Sequence, residues 1–353
     1  MTAATLRRLF LPIGMVLFLA GMVLNRGNVP IFSVSSLYYR YQELGLVKRG
    51  LLGTLLSPLL PEQLAPAAAL PLWLGLGLGA GLALCLLMRR LLRSQQPAVL
   101  ALALLSPAMF IQLGYGFYFL DLWCLICACL GLAVLRPGAP GPARLTALAL
   151  LVLAGGLFHE VFLVAFAPLL LGVASLRSRR AALVVALSAA ATALLLALAG
   201  SYEAGPEALA AAVQRHFSAP MTAAHFELTS SLATNIRRTH AYLIGEGHLR
   251  SVLPAYAYLA VLVSAVAVQG DRRRLALLAA CLSPLALGLF AGDLSRWIGF
   301  ACMNVLLLAL LDLLPLRLPR WRFALLTVPL LAGPLGVVAA FPLLQARLAA
   351  LLS

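Results

Sequence analysis

Residues 181–200 read AALVVALSAAATALLLALAG, twenty positions without one charged side chain. A helix of that length extends about 30 Å, the thickness of a bilayer's hydrocarbon core. Apolar runs of this kind recur from residue 9 to residue 341. They constrain the fold more than any other feature, because backbone N–H and C=O groups in lipid have to be satisfied within the chain, and helices achieve this. With 63% hydrophobic and 10% charged residues, the chain lies far from soluble domains, in which about 25% of residues are charged. The expected fold class is all-α: one integral membrane domain over 1–353, a polytopic bundle of about 10–11 transmembrane helices that includes short broken ones.

The net charge of +15 is a matter of topology. Sixteen of the 26 basic residues fall in six short clusters between apolar runs, among them Arg7/Arg8, Arg89/Arg90/Arg93 and Arg272/Arg273/Arg274. Short Arg-rich loops mark the cytoplasmic side, so this distribution excludes nucleic acid as the partner. Lys48 is the only lysine, and with the heavy use of Ala and Leu this resembles the coding bias of a GC-rich bacterial genome. The expected location is therefore a bacterial inner membrane, crossed several times, with the N-terminus inside and an uncleaved first helix. The six cysteines all lie in apolar runs, and the CLICAC stretch reads as small apolar filling.

Threading from Arg7 and Arg8 gives helices over 9–25, 66–88, 97–113, 117–135, 181–200, 252–269, 275–291, 298–316 and 323–341, with external stretches at 26–61 and 201–250. Residues 145–176 are flanked by arginines on both sides, and 32 residues are too few for two full spans. Two short helices hinged near Gly155-Gly156 and His159-Glu160 fit.

Under this threading the unusual polar groups share the external side. His159 and Glu160 sit at the hinge, Asp121 lies just past LGYG, and Asp293 and Arg296 sit in GDLSRW. Ionisable residues at membrane depth are functional by default. Glu160, His159, Asp121 and Asp293 are thus the candidate catalytic groups. Arg296, Arg49, Lys48, Arg237, Arg238 and His240 are the candidate contacts for a substrate phosphate, since guanidinium forks match phosphate oxygens. Asp293 and Arg296 stand three apart on one helix face, where a purely structural ion pair is the competing reading. Trp297 beside them suits an interfacial aromatic belt. LVKRGLLGTLL reads as a helix lying flat on the membrane. The spacing of His216, His225, His240 and His248 fits no compact metal motif. No metal site is expected and no cofactor is called for, a divalent cation being the one addition the pattern admits.

An external site lacks ATP and nucleotide sugars, and the chain has no phosphate-binding loop motif. A polyprenyl-phosphate-linked saccharide is a donor that reaches it. The order of KRGLLGTLL, then HE before an apolar run ending at Pro168, then GDLSRW, is similar to the Wzy/EpsG-like polysaccharide polymerases and, more broadly, to GT-C-type membrane glycosyltransferases. The resemblance implies glycosyl transfer or polysaccharide polymerisation on the external leaflet, alongside membrane lipid and other envelope-polymer proteins. The first external stretch carries Glu43 and Glu62 and no Asp where GT-C enzymes carry an acidic pair, so a metal-free route fits better. The alternative is a multi-pass transporter or flippase for a lipid-linked or anionic substrate, and a third class is a non-catalytic scaffold.

Overall fold

The computed structural model describes residues 1–26, 35–136, 138, 140–217, 226–229, 232–245, 248–268, 270–337 and 339–352. His225 and Glu246, and residues 27–34 of the first polar stretch, lie outside the described residues. Among those described the chain is all-helical, and its only ladder contacts are two isolated bridges. The longer helices are α1 Ala3–Asn25, α2 Gly50–Leu56, α3 Pro66–Leu91, α4 Pro97–Leu105, α5 Phe110–Tyr115, α6 Asp121–Leu135, α7 Pro142–Phe158, α8 Ala167–Arg177, α9 Arg179–Ala199, α10 Gly205–Gln214, α11 Leu232–His240, α12 Leu253–Ser264, α13 Arg272–Leu282, α14 Leu294–Leu310, α15 Arg320–Thr327 and α16 Pro342–Leu352. Among the described residues, four helical stretches are long and apolar enough to cross a membrane: Ala3–Asn25, Ala67–Leu91, Pro97–Tyr115 and Arg179–Ala199. The helices α6, α7, α8 and α14 are apolar but shorter.

Helix α14 is the central pillar. Every residue from Leu294 to Leu310 is buried, the polar Ser295, Arg296 and Asn304 included, and Asn304 donates to the Ala165 carbonyl at 2.8 Å. Around it, small residues bring backbones together. A Cβ on Gly114 would run into the Phe18 carbonyl oxygen, and one on Gly21 into that of Ile111. Helices α1 and α5 therefore pack backbone to backbone, in the manner of small-residue contacts in membranes. The Asn25 amide closes this contact by donating to the Tyr115 carbonyl at 2.7 Å.

The 145–176 region is broken where its composition implied. Helix α7 ends at Phe158, His159 is extended (φ −160°, ψ 128°), and a single turn at Phe162–Ala165 leads into α8. A Cβ on Gly131 of α6 would meet both Leu148 of α7 and Leu170 of α8. The two arms thus run back past one another at one level of the bundle.

Several expected single helices are interrupted. Residues 97–113 break at Ser106, ahead of Pro107. Residues 275–291 change to a 3-10 helix at Ser283–Leu289, where Pro284 removes a donor. The expected helix over 323–341 is α15, a 3-10 turn Val328–Ala332, and then an irregular strap. Gly333 and Gly336 take φ of +98° and +96° there, a region that favours glycine. Irregular backbone inside the bundle is tolerated when protein satisfies it. Gln112 does so: its amide donates to the Gly336 carbonyl at 2.8 Å and accepts from the Gly336 N–H at 2.7 Å.

The arginine-rich loops gather at one end. Arg7 donates to the carbonyls of Arg93 and Ser94 at 2.8 and 2.9 Å, Arg93 to that of Arg136, Arg136 to that of Arg90, and Arg144 to that of Val134. These guanidinium groups satisfy carbonyls left over near helix C-termini. The N–H groups of Arg93 and Ser94 in turn bond the carbonyl of Leu310, where α14 finishes. Asp293 and Arg296 start the same helix, so they stand about 25 Å away at the opposite end.

Candidate functional site

At that opposite end, three helix starts or stops converge. Helix α6 begins with Asp121, α7 stops before His159, and α14 begins just after Asp293. Arg296 joins the first to the third. Its Nε donates to Asp121 Oδ2 at 2.7 Å, its Nη2 lies 2.5 Å from the same oxygen, and its Nη1 donates to Asp293 Oδ2 at 2.9 Å. The guanidinium also lies over the rings of Phe119 (4.1 Å) and Trp297 (4.7 Å). Arg296 and Asp121 are each 6% exposed. The trio carries one more negative than positive group. Trp297 is 2% exposed and donates its indole N–H to the Ala291 carbonyl. This corrects the expectation of a belt residue: Trp297 is core packing, held there by the fully buried face of α14.

A second cluster stands beside the first. Arg49 reaches across 111 residues of chain to grip Glu160 with both arms, Nη2 to Oε1 at 2.7 Å and Nε to Oε2 at 3.3 Å. Arg49 holds φ at +65° to do so, a left-handed conformation that costs a non-glycine residue about 1–2 kcal/mol. His159 Nδ1 faces two partners. Glu160 Oε2 lies at 3.1 Å and asks for a donor, while the Val161 N–H at 3.3 Å asks for an acceptor. Only one can be satisfied at a time, so the proton on Nδ1 decides whether the ring holds the carboxylate or the turn. Lys48, half-buried next to Arg49, makes no ion pair among the described residues.

The two clusters meet at Cys124. One turn after Asp121, its thiol donates to the carbonyls of Gly155 and His159 at 3.5 and 3.9 Å. The CLICAC cysteines are free and buried, in keeping with their reading as filling; nothing in the sequence pairs Cys124 with a helix end thirty-odd residues away. Composition also gave no hint of Gln112, Phe119 and Val337, which line a recess of about 20 Å³ against Asp121 and Arg296. That is room for one water molecule or one hydroxyl.

The structure does not gather all the expected residues in one place. Arg237, Arg238 and His240 lie on α11, outside the two ion-pair clusters. The link to the site is the turn after that helix, where Tyr242 packs so closely that a side chain at Gly292 would run into it. Tyr242 also stacks on His248 at 4.0 Å. His216 belongs to a separate clasp. Its Nε2 meets Glu43 Oε2 at 2.7 Å, its Nδ1 meets the Glu62 carbonyl at 2.9 Å, and its ring stacks on Tyr38 at 4.7 Å. Arg40 adds a contact to Glu43 at 3.2 Å and lies over Tyr38. With the Leu64 N–H bonded to the His216 carbonyl at 2.8 Å, the clasp locks the first polar stretch to the second. Burial pushes the Glu43 carboxyl up, but hydrogen bonding and charge from His216 and Arg40 outweigh this and hold it below the usual glutamate range.

Among the described residues, fold and site together define an all-helical chain with four helices of membrane-crossing length and an ionisable centre built where helices break. Comparison with protein-family models, with curated proteins and with solved structures gave no match.

Proposed function

We propose that the protein is a multi-pass enzyme of a bacterial inner membrane, with its N-terminus inside, that transfers or polymerises sugars from a polyprenyl-phosphate-linked donor on the external leaflet. The observation that carries the reading is the pairing of a partly exposed Arg49–Glu160–His159 cluster with a buried Asp121–Arg296 pair that has the partly exposed Asp293 at its rim, at the end of the bundle away from the arginine loops. In this reading Lys48 and Arg49 face the donor phosphate. Arg296, already held by two carboxylates and two rings, organises the floor of the site. Glu160, steered by His159, takes the proton of the acceptor hydroxyl, and Asp121 and Asp293 set the positions of their partners. Arg237, Arg238 and His240 form an outer anion-reading surface on α11, approached before the inner site. Donor binding loosens the grip of Arg49 on Glu160, which frees the carboxylate to act as base. The reading needs no cofactor and leaves room for a divalent cation.

The test is an assay in membranes with a polyprenyl-pyrophosphate-linked saccharide. Glu160→Gln is expected to lower turnover by about 10²–10⁴-fold, the usual contribution of a positioned base. Arg49→Ala is expected to lower turnover and to weaken donor binding. Full activity in both variants ends the assignment. Ion-coupled uptake of an anionic solute by the wild type, without transfer, would favour a transporter.

A further inference from the structure

A groove of about 560 Å³ lies between α12, α15 and α16, on the far side of the 333–341 strap from the Asp121–Arg296 recess. Its walls are almost wholly apolar, with Ala257 and Val261 on one side and Leu325, Leu331 and Leu344 on the other. Tyr258 brings a hydroxyl to the wall, but that hydroxyl pairs with Ser106 at 2.7 Å and donates to the Leu326 carbonyl at 3.1 Å. Arg347 is therefore the one side chain with an uncommitted polar group on the lining; it is exposed and makes no ion pair or hydrogen bond among the described residues.

The cation has a defined end. Gln345, two residues before it, donates to the Ser251 carbonyl at 3.1 Å, which ties the start of α16 to the start of α12. The far end of α12 leads to Ala265, whose carbonyl accepts from Arg317 N–H at 2.7 Å in the arginine-rich half. From Pro254 to Val261 the groove follows α12 for about 10 Å, with the charge at the mouth on the side of Asp293 and hydrocarbon below. Water inside would find no partners. A peptide strand would leave its backbone unsatisfied against these walls. A sugar would be desolvated without compensation.

We infer that this groove holds one hydrocarbon chain of a bilayer phospholipid, with the lipid phosphate resting on Arg347. The geometry is a membrane version of the snorkelling cation: a charged head at the interface above an apolar slot. The inference is independent of glycosyl transfer, so its failure would leave that reading untouched, and the reverse holds.

The experiment places the full chain in phosphatidylcholine nanodiscs doped with phosphatidylglycerol that bears a diazirine on one acyl chain. After irradiation, adducts are mapped by peptide mass spectrometry. Labelling is expected to concentrate on 254–261 and 325–332. Arg347→Ala is expected to lower it about fivefold, the weight of one cation facing an anionic headgroup, while Arg347→Lys retains it. Ala257→Trp fills the slot and should remove labelling there. Leu331→Trp, at an exposed rim position, repeats that test in a variant that leaves the helix contacts of α12 intact. A diacylglycerol probe, which lacks the phosphate, should label the wild type only to the level of Arg347→Ala. Even labelling around all lipid-facing helices, indifferent to these variants, overturns the inference. So does equal labelling by the two probes, or crosslinking of two chains through these residues, which would make a second copy the occupant.

Discussion

Arg296 is where structural and chemical roles can be pulled apart. Removing one partner of a buried ion pair strands the other, at a cost of about 3–5 kcal/mol. Arg296→Met should therefore lower thermal stability in detergent by that order, since Asp121 is left buried and uncompensated. Adding Asp121→Leu removes the stranded charge, and Asp293 is exposed enough for water to take over. The double variant is expected to regain most of the lost stability while remaining inactive in transfer assays. A double variant as unstable as the single one would show that the two residues are not energetically coupled. The individual ionisable groups were legible in the sequence because charge inside an apolar run is costly and conspicuous. Their partnerships were not. Asp121 and Arg296 are 175 residues apart and Arg49 and Glu160 are 111 apart, and no local pattern encodes which cation meets which acid. Cys124 was invisible for a different reason: a buried thiol looks like filling until the carbonyls around it are known.

At the scale of elements, the irregular strap tests how the bundle tolerates broken helices. Gln112 supplies the hydrogen bonds that the missing helix would have made for Gly336, one as donor and one as acceptor. Gln112→Leu keeps the bulk and loses both, leaving two buried backbone groups unsatisfied at about 1–3 kcal/mol each. The expected result is a lower melting temperature, together with faster hydrogen exchange in the 333–341 peptide than in α14. Unchanged exchange in that peptide would mean that the strap is held elsewhere. Sequence periodicity located most apolar helices but overstated the continuity of 97–113, 275–291 and 323–341. Each carries an internal proline or a proline–glycine pair that hydropathy averages away. The break at His159 was legible because arginines on both flanks left no room for a straight crossing.

Over the whole molecule, two interlocks hold opposite ends. On the side of the site, the Glu43–His216 clasp joins polar stretches that are separated by three of the long helices. The Glu43 carboxyl is held below its usual range, so the folded chain binds that proton less readily than the unfolded one. The stabilisation is complete above the ordinary glutamate value of about 4.3 and is lost as pH falls through the lower folded value. Melting curves of wild type and Glu43→Gln should differ near neutrality and converge in acid; a gap that widens in acid would contradict the clasp. At the other end, guanidinium groups from Arg7, Arg93 and Arg136 bind carbonyls contributed by other hairpins. Those carbonyls come into reach only after the hairpins have docked. If these loops face the cytoplasm as proposed, a cation that steers a nascent segment during insertion ends withdrawn into the assembled protein. In that topology it would stay free to hold anionic lipid until its docking partner is synthesised, and the order of synthesis would set the order in which these loops leave the bilayer.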